Sequence, residues 1–260
     1  MSLLRLYHYL NTEVADPRTN HWAIVSSPVP ITIVSIVYLY VVLKWGPNYM
    51  KDKPAYNFRT FIMFYNIFQI AINTWAVYSL VEAGWFRDHV FTCKPADYSV
   101  NPQNTKFSNI TWYILCLKLI DYVETILFVF RKKQRQVTFL HLYHHISTAY
   151  FFWIFLKYYC SAIPIIVLGV NCAVHVIMYT YYLLASFQST QRISNFIKPS
   201  ITIIQMVQFW FLIIHLSMAY SPSCPGAEVM STMAIVDLLI NFILFWNFYK
   251  KNYPKKKKVN

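Results

Sequence analysis

Hydrophobic and polar positions alternate along this chain on a long period, with apolar stretches of roughly 17 to 25 residues separated by shorter charged segments. Seven stretches stand out, at about Val29 to Trp45, Phe58 to Val81, Ile110 to Phe130, Val137 to Lys157, Ile163 to Phe187, Ile201 to Ala219 and Val229 to Tyr249. A helix needs about 20 apolar residues to cross ~30 Å of hydrocarbon, so each stretch predicts one transmembrane helix. The expected fold is therefore an all-α integral membrane domain. Residues 1–28 form its outer terminus, residues 29–249 its seven spans, and residues 250–260 a basic tail. The first 28 residues carry Arg5, Glu13, Asp16 and Arg18 without an early apolar core, which does not fit a cleaved signal peptide.

Four of these stretches are interrupted by polar residues that keep helical spacing. At about 100° per residue, Lys118, Asp121, Glu124 and Thr125 share an arc of about 120° on the third span. His141, His144 and His145 share about 100° on the fourth. Asn171, His175, Met178, Tyr179 and Tyr182 align on the fifth, and Thr202, Gln205, Gln208 and His215 on the sixth. A charge at mid-membrane costs roughly 2.5 to 3.5 kcal/mol on insertion scales, so three within seven residues would oppose insertion if they faced lipid. One shared polar interior satisfies all four stripes at once. Asn66, Gln69 and Asn73 on the second span could join it or serve as interhelical glue.

Composition agrees with a lipid solvent, at 57% hydrophobic and only 13% charged residues. The net charge of +13 follows from topology, because sixteen of the 23 Lys and Arg fall in segments on one side: Lys44, Lys51, Lys53 and Arg59; Arg131, Lys132, Lys133 and Arg135; Arg192 and Lys198; and Lys250, Lys251 and Lys255 to Lys258. The positive-inside rule makes that side cytosolic and the N-terminus luminal. Cations facing anionic headgroups need no nucleic-acid partner. Arg131, Lys132, Lys133, Arg135 and Lys198 are also placed to receive a phosphorylated substrate. Of five cysteines, Cys93 and Cys224 fall in luminal loops and could be bridged in an oxidising compartment, with Cys160 leaving the pairing open. The Asn109-Ile110-Thr111 sequon lies against a span.

Three histidines in hydrocarbon point to chemistry. His-x-x-His-His resembles a box of membrane di-iron desaturases and hydroxylases, but His8, His21 and His89 map to the luminal side and leave too few ligands, so no metal is expected. A seven-helix receptor or transporter has the same span count without a reason for imidazoles opposite carboxylates. Imidazole as nucleophile and base, with Asp121 or Glu124 orienting it, suits acyl transfer.

The ordered segments Lys118-Leu-Ile-Asp-Tyr-Val-Glu-Thr125, Arg131-Lys-Lys, His141-Leu-Tyr-His-His145, Asn171-Cys-Ala-Val-His-Val-Ile-Met-Tyr-Thr-Tyr-Tyr182 and Thr202-Ile-Ile-Gln-Met-Val-Gln208 resemble the elongases of very-long-chain fatty acids. The likeness runs from about Tyr56 to the C-terminus. One departure is an exchange of acids, Asp121 and Glu124 standing where the family usually has Glu and Asp. The resemblance implies a seven-helix endoplasmic-reticulum enzyme in which six helices surround a narrow tunnel. It implies condensation of a long-chain acyl-CoA with malonyl-CoA, releasing CoA and carbon dioxide, with no bound cofactor. Within it, His144 is the expected nucleophile, with His141, His145, Asp121 and Glu124 setting tautomers and moving protons. His175 with Asn171 would stabilise oxyanions. Lys118, Gln205 and Gln208 would hold the thioester or the CoA arm, with Tyr179 and Tyr182 lining the substrate site. Membrane lipid, a second copy of the chain and other enzymes of the elongation cycle are the candidate partners. Lys257-Lys258-Val259-Asn260 has the pattern of a dilysine retrieval signal.

Overall fold

The computed structural model describes residues 2–84, 97–160, 162–222 and 226–253, apart from the side chains of 162–164, 188, 191 and 195. Every regular element among them is helical. A short amphipathic start, α1 (Leu3–His8), precedes α2 (Val29–Tyr40), which continues through a π-helical turn at Val41–Trp45 into α3 (Gly46–Tyr49). Then follow α4 (Arg59–Glu82), α5 (Pro102–Ile120), α6 (Tyr122–Phe130), α7 (Phe139–Tyr158), α8 (Ala162–Ala185), α9 (Gln191–Ser217) and α10 (Glu228–Asn252).

Five helical stretches among the described residues are long and apolar enough to cross a membrane: Val29–Tyr49, Arg59–Glu82, Ile165–Ala185, Phe196–Tyr220 and Glu228–Asn252. The third and fourth expected stretches are helical, as α5 with α6 and as α7, but do not meet that length and apolarity: α5 begins on the polar run Gln103 to Asn109, α6 has nine residues, and α7 carries the three histidines. Their burial compensates. Outer faces of the apolar helices expose Ile36 on α2, Phe64 on α4, Ile214 on α9 and Ile243 on α10, while Gln69, Asn73, Lys118, Asp121 and His175 are buried. Apolar side chains outward and polar ones inward is the distribution a lipid solvent selects.

The packing closes a circuit. Helix α4 lies against α8, α8 against α9, α9 against α10, α10 against α7, α7 against α5, and α5 returns to α4. Helix α2 packs outside this circuit, on α7, and α3 packs on α6. Gly46 is required where α3 meets α6, because a Cβ there would come within 2.6 Å of the Val41 carbonyl oxygen and 2.8 Å of Val129 Cγ1.

Three boundaries differ from the sequence reading. The third span is two helices, broken at Asp121, where the Glu124 amide bonds the Asp121 carbonyl at 3.1 Å. That i→i+3 turn releases the Ile120 carbonyl, and the Tyr65 hydroxyl donates to it at 3.4 Å. Helix α9 begins at Gln191, not near Ile201, and runs through Pro199, placing Arg192 and Lys198 in its first turns. Helix α10 continues to Asn252, so the basic tail starts helical. Cys93, Cys224 and Lys257 to Asn260 lie outside the described residues. Cys116, Cys160 and Cys172 are free thiols.

Residues 14–28, expected only as an outer terminus, seal the end of α7. Helix C-termini leave carbonyls without intrahelical partners. Here the Thr19 hydroxyl donates to the Leu156 carbonyl at 2.6 Å, the Asp16 amide to that of Lys157 at 2.8 Å, and Arg18 Nη2 to that of Cys160 at 2.9 Å. Arg18 also grips the fully buried Asp16 carboxylate at 2.6 Å. The buried Lys157 ammonium donates in turn to Asn20 Oδ1 and the Ser26 carbonyl.

Candidate functional site

The polar stripes of α4, α5 and α8 meet in a buried ion-pair cluster. Lys118 Nζ stands 3.1 Å from Asp121 Oδ2 and 3.3 Å from His175 Nδ1, and Asp121 Oδ2 is 3.8 Å from the same ring nitrogen. Gln69 Nε2 donates to Asp121 Oδ1 at 2.8 Å and the Tyr179 hydroxyl to the same oxygen at 3.3 Å. Gln69 is itself held by Asn73, whose Nδ2 donates to its side-chain oxygen at 3.1 Å. An ammonium ion donates and has no lone pair, so its contact with His175 makes Nδ1 the acceptor and leaves the ring proton on Nε2. His175 thus presents a fixed N–H donor.

A second cluster joins α2, α6 and α7. The Thr125 hydroxyl meets His141 Nε2 at 2.9 Å and accepts from the Tyr38 hydroxyl at 2.8 Å. The rings of His141 and His145 are 4.3 Å apart. One ligand-type atom from each of Glu124, His141 and His145 falls within 4.8 Å of the others. A single tetrahedral ion with ligands at ~2 Å holds its ligand atoms about 3.4 Å apart, inside that limit. The exchanged acids therefore divide the work between them: Asp121 faces α4 and α8, and Glu124 faces α7.

The third cluster lies between α7 and α10, where His144 stands. Its Nδ1 is 3.1 Å from Asn241 Oδ1, so its partner is an amide, not Asp121 or Glu124 as the sequence reading expected. Asn241 Nδ2 donates to the Asp237 carbonyl at 3.0 Å and to Asp237 Oδ2 at 3.1 Å, and the Tyr143 hydroxyl donates to Asp237 Oδ1 at 2.8 Å. His144 lines an internal cavity together with Thr148, Phe152, Asn171, Gln208 and Asn241. The Asn171 side chain lines the cavity, and its Oδ1 is buried without a hydrogen-bond partner. The cavity measures about 40 Å³, enough for ordered water and far less than a long acyl chain occupies. Phe151, Phe152 and Phe155 wall it on the side toward the N-terminal seal. A larger groove, about 590 Å³ between α4 and α5, is lined by Trp75, Ser79, Lys106 and Tyr113 and, among the described residues, includes no imidazole or carboxylate.

Other expected residues divide. Gln208 is buried at the cavity, but Gln205 Nε2 points to Met178 Sδ at 3.4 Å instead. Tyr179 and Tyr182 pack edge to face at 5.9 Å beside Tyr65. Among the basic residues, Arg131, Lys133 and Lys198 converge from the α6–α7 connection and the start of α9. Partial burial, and after it the charges of Arg131 and Lys198, pull the Lys133 ammonium below its ordinary pKa. Lys132, in the left-handed region at φ 53°, instead donates to the Lys51 carbonyl at 3.2 Å, and Arg135 stays exposed in the single turn Gln134–Gln136.

Asp237, Asn241 and Tyr143 escaped the sequence reading. Their signal was present: an acid and an amide at i, i+4 inside the otherwise apolar run Ile235 to Trp246 belong in a bundle interior.

Comparison with known proteins identifies the family. The model of the family described as "ELO: GNS1/SUR4 family" matches residues 23–260. Very long chain fatty acid elongase 1 of Homo sapiens is 32% identical over 247 residues, covering 94% of this chain and 88% of that protein. Elongase 4 of Homo sapiens is 32% identical over 94% of this chain and 78% of its own length. Elongase 7 of Rattus norvegicus is 30% identical over 94% and 88%. With a family match spanning nearly the whole chain, the protein belongs to the ELO (GNS1/SUR4) family.

Proposed function

We propose that this protein is a membrane-embedded very-long-chain fatty-acid elongase, a 3-oxoacyl-CoA synthase that lengthens an acyl-CoA by two carbons at the expense of malonyl-CoA. The observation that carries this reading is the placement of His144 on a cavity wall, hydrogen-bonded through Nδ1 so that Nε2 is left for a substrate carbonyl. Family membership and the names of the relatives support the substrate class.

In this reading His144 Nε2 attacks the acyl thioester carbon, the C–S bond breaks, and CoA leaves as a thiolate that takes up a proton. Malonyl-CoA then releases carbon dioxide, and the electron pair of the broken C–C bond stays as a thioester enolate. The enolate carbon attacks the acyl-imidazole, and the C–N pair returns to Nε2. His175 donates from Nε2 to the developing oxyanions, with Asn171 holding the thioester region. His141, His145 and Glu124 carry protons to and from the departing thiolate. Arg131, Lys133 and Lys198 receive the CoA phosphates. Seven helices in the endoplasmic-reticulum membrane, with a luminal N-terminus, place that cation cluster in the cytosol. The acyl chain enters the six-helix circuit by displacing Phe151, Phe152 and Phe155.

Purified protein given acyl-CoA and labelled malonyl-CoA is expected to form a 3-oxoacyl-CoA two carbons longer, with one carbon dioxide released per product. Absence of label in lipid would return the chain to the receptor or transporter class. Because Glu124, His141 and His145 could hold an ion, the same assay after chelation decides the oxygenase reading. The rate is expected to be unchanged, and a loss restored by iron would revive that reading. Neutralising Arg131, Lys133 and Lys198 together is expected to raise KM for malonyl-CoA ~10-fold with kcat nearly unchanged, about 1.4 kcal/mol of uniform binding. A fall in kcat at constant KM would place the phosphates elsewhere.

A further inference from the structure

We infer that Asn241, locked by Asp237, is the positioning residue that fixes the tautomer of His144 and so makes Nε2 its nucleophilic nitrogen. The inference deepens the elongase reading and rests on it. A neutral imidazole has one protonated and one bare nitrogen, and the partner of one decides the state of the other. Whether Nδ1 of His144 donates depends on whether Asn241 presents its oxygen or its nitrogen. An amide side chain can be placed either way round, so the orientation must be argued from the network.

The network leaves one choice. Two oxygens of Asp237, its backbone carbonyl at 3.0 Å and Oδ2 at 3.1 Å, face the same amide atom of Asn241. The backbone carbonyl can only accept, whatever the protonation state of the carboxyl group, so the atom facing it must be the NH₂. Turning the amide over would set three acceptors against one another in a buried site, where Asn241 is 2% exposed. The oxygen is therefore directed at His144 Nδ1 at 3.1 Å, and Nδ1 must carry the proton. Asp237 is held in turn by the Tyr143 hydroxyl at 2.8 Å. Tyr143 precedes His144 on α7 and Asp237 and Asn241 are one turn apart on α10, so the chain of contacts also fixes the register of the two helices at the nucleophile. Phe209 and Phe245 pack around the ring, with centroids at 6.4 and 5.7 Å. Among the described residues Nε2 has no hydrogen-bond partner, and the ring lines the cavity.

This assignment is opposite in sense to that of His175, where Lys118 makes Nδ1 the acceptor and Nε2 the donor. One imidazole is set to give an electron pair and the other to give a hydrogen bond. Among the described residues no carboxylate contacts the nucleophile directly, which keeps its imidazole a good leaving group from the acyl adduct. A neutral amide oxygen stabilises the N–H less than a carboxylate would, and the acyl-imidazole retains more of its reactivity toward the enolate.

The test is the rate of His144 acylation by labelled acyl-CoA without malonyl-CoA, mapped by peptide sequencing, together with the ¹⁵N spectrum of histidine-labelled protein, assigned with H144A. Wild type is expected to show a protonated Nδ1 and a bare Nε2 at His144. Asn241→Ala should acylate about 10²-fold more slowly, with half-saturation in acyl-CoA unchanged and a mixed tautomer signal. The double change Asp237→Asn with Asn241→Asp keeps an acceptor on Nδ1, now a carboxylate that also meets the residue-237 carbonyl, so the spectrum should return to a protonated Nδ1 while transfer of the acyl group to malonyl-CoA stays slow. Acylation of His144 at the wild-type rate in N241A, or a protonated Nε2 in wild type, overturns the inference and leaves the elongase reading standing. An adduct on another residue, in protein that still elongates, overturns His144 as nucleophile, and the spectrum, which needs no turnover, still decides the tautomer. Should N241A not fold, the wild-type spectrum and the double variant decide alone; a double variant with a mixed tautomer signal counts against the inference.

Discussion

Replacing His144 with alanine is expected to reduce elongation by at least ~10³-fold while the protein folds and binds acyl-CoA. Loss of a covalent nucleophile removes a whole reaction path, and what survives is the contribution of binding and oxyanion contacts. The substitution should be structurally mild, because His144 is only part-buried and its main polar partner, Asn241, keeps both contacts to Asp237 when the ring is gone. Acyl-CoA alone should label wild type and leave H144A unlabelled. His141→Ala and His145→Ala are expected to behave differently, retaining an adduct that accumulates slowly, because their cluster with Glu124 and Thr125 serves proton movement at one remove from the carbonyl. Normal labelling of H144A would move the nucleophile to another imidazole and require a new path for the enolate.

The inward-facing character of the site was legible in the sequence for a simple energetic reason. In hydrocarbon a polar stripe has nowhere else to go, so helical spacing alone placed Lys118, Asp121, His145, Asn171, His175 and Gln208 inside, and all six are buried. Partner choice was not legible. Asp121 and Glu124 lie three residues apart on one face, yet a single turn broken at Asp121 sends the first toward α8 and the second toward α7. Nothing in a hydropathy pattern marks that break, since apolar residues continue through it and the released carbonyl is satisfied by Tyr65 from another helix. Gln205 shows the limit of stripe arguments: it shares the arc of Gln208, but its amide is taken up by Met178.

The folded N-terminal segment was illegible for a different reason. Its contacts to carbonyls in and just after the last turn of α7 are made by the Asp16 amide and by the Arg18 and Thr19 side chains, and such capping leaves no periodicity. Asp237 and Asn241 were legible and were passed over, because a pair one turn apart makes a shorter stripe than the four that drew notice. Their position opposite His144 shows that a brief polar pair in an apolar span carries as much information as a long one.

Lys118→Met is expected to be the most destabilising single change in the polar interior, costing about 3 to 5 kcal/mol, the range for leaving one member of a buried ion pair without its partner. Lys118 and Asp121 are 2% exposed, so water cannot replace the lost charge. Gln69 and Tyr179 still donate to Asp121 Oδ1, but Oδ2 loses its ammonium at 3.1 Å, and His175 at 3.8 Å is the nearest group able to supply a proton. The variant should therefore show two effects with separate readouts. Thermal unfolding in detergent shifts down, and His175 gains a proton on Nδ1 that the ¹⁵N spectrum reports. Adding Asp121→Asn removes the stranded charge and should restore most of the lost stability, since a neutral amide at that position still accepts from Gln69 and Tyr179. Elongation should not recover with it, because His175 no longer has an ammonium to hold its proton on Nε2. A double variant that regained stability and full activity together would reduce Lys118 to a scaffold residue and remove the tautomer assignment at His175.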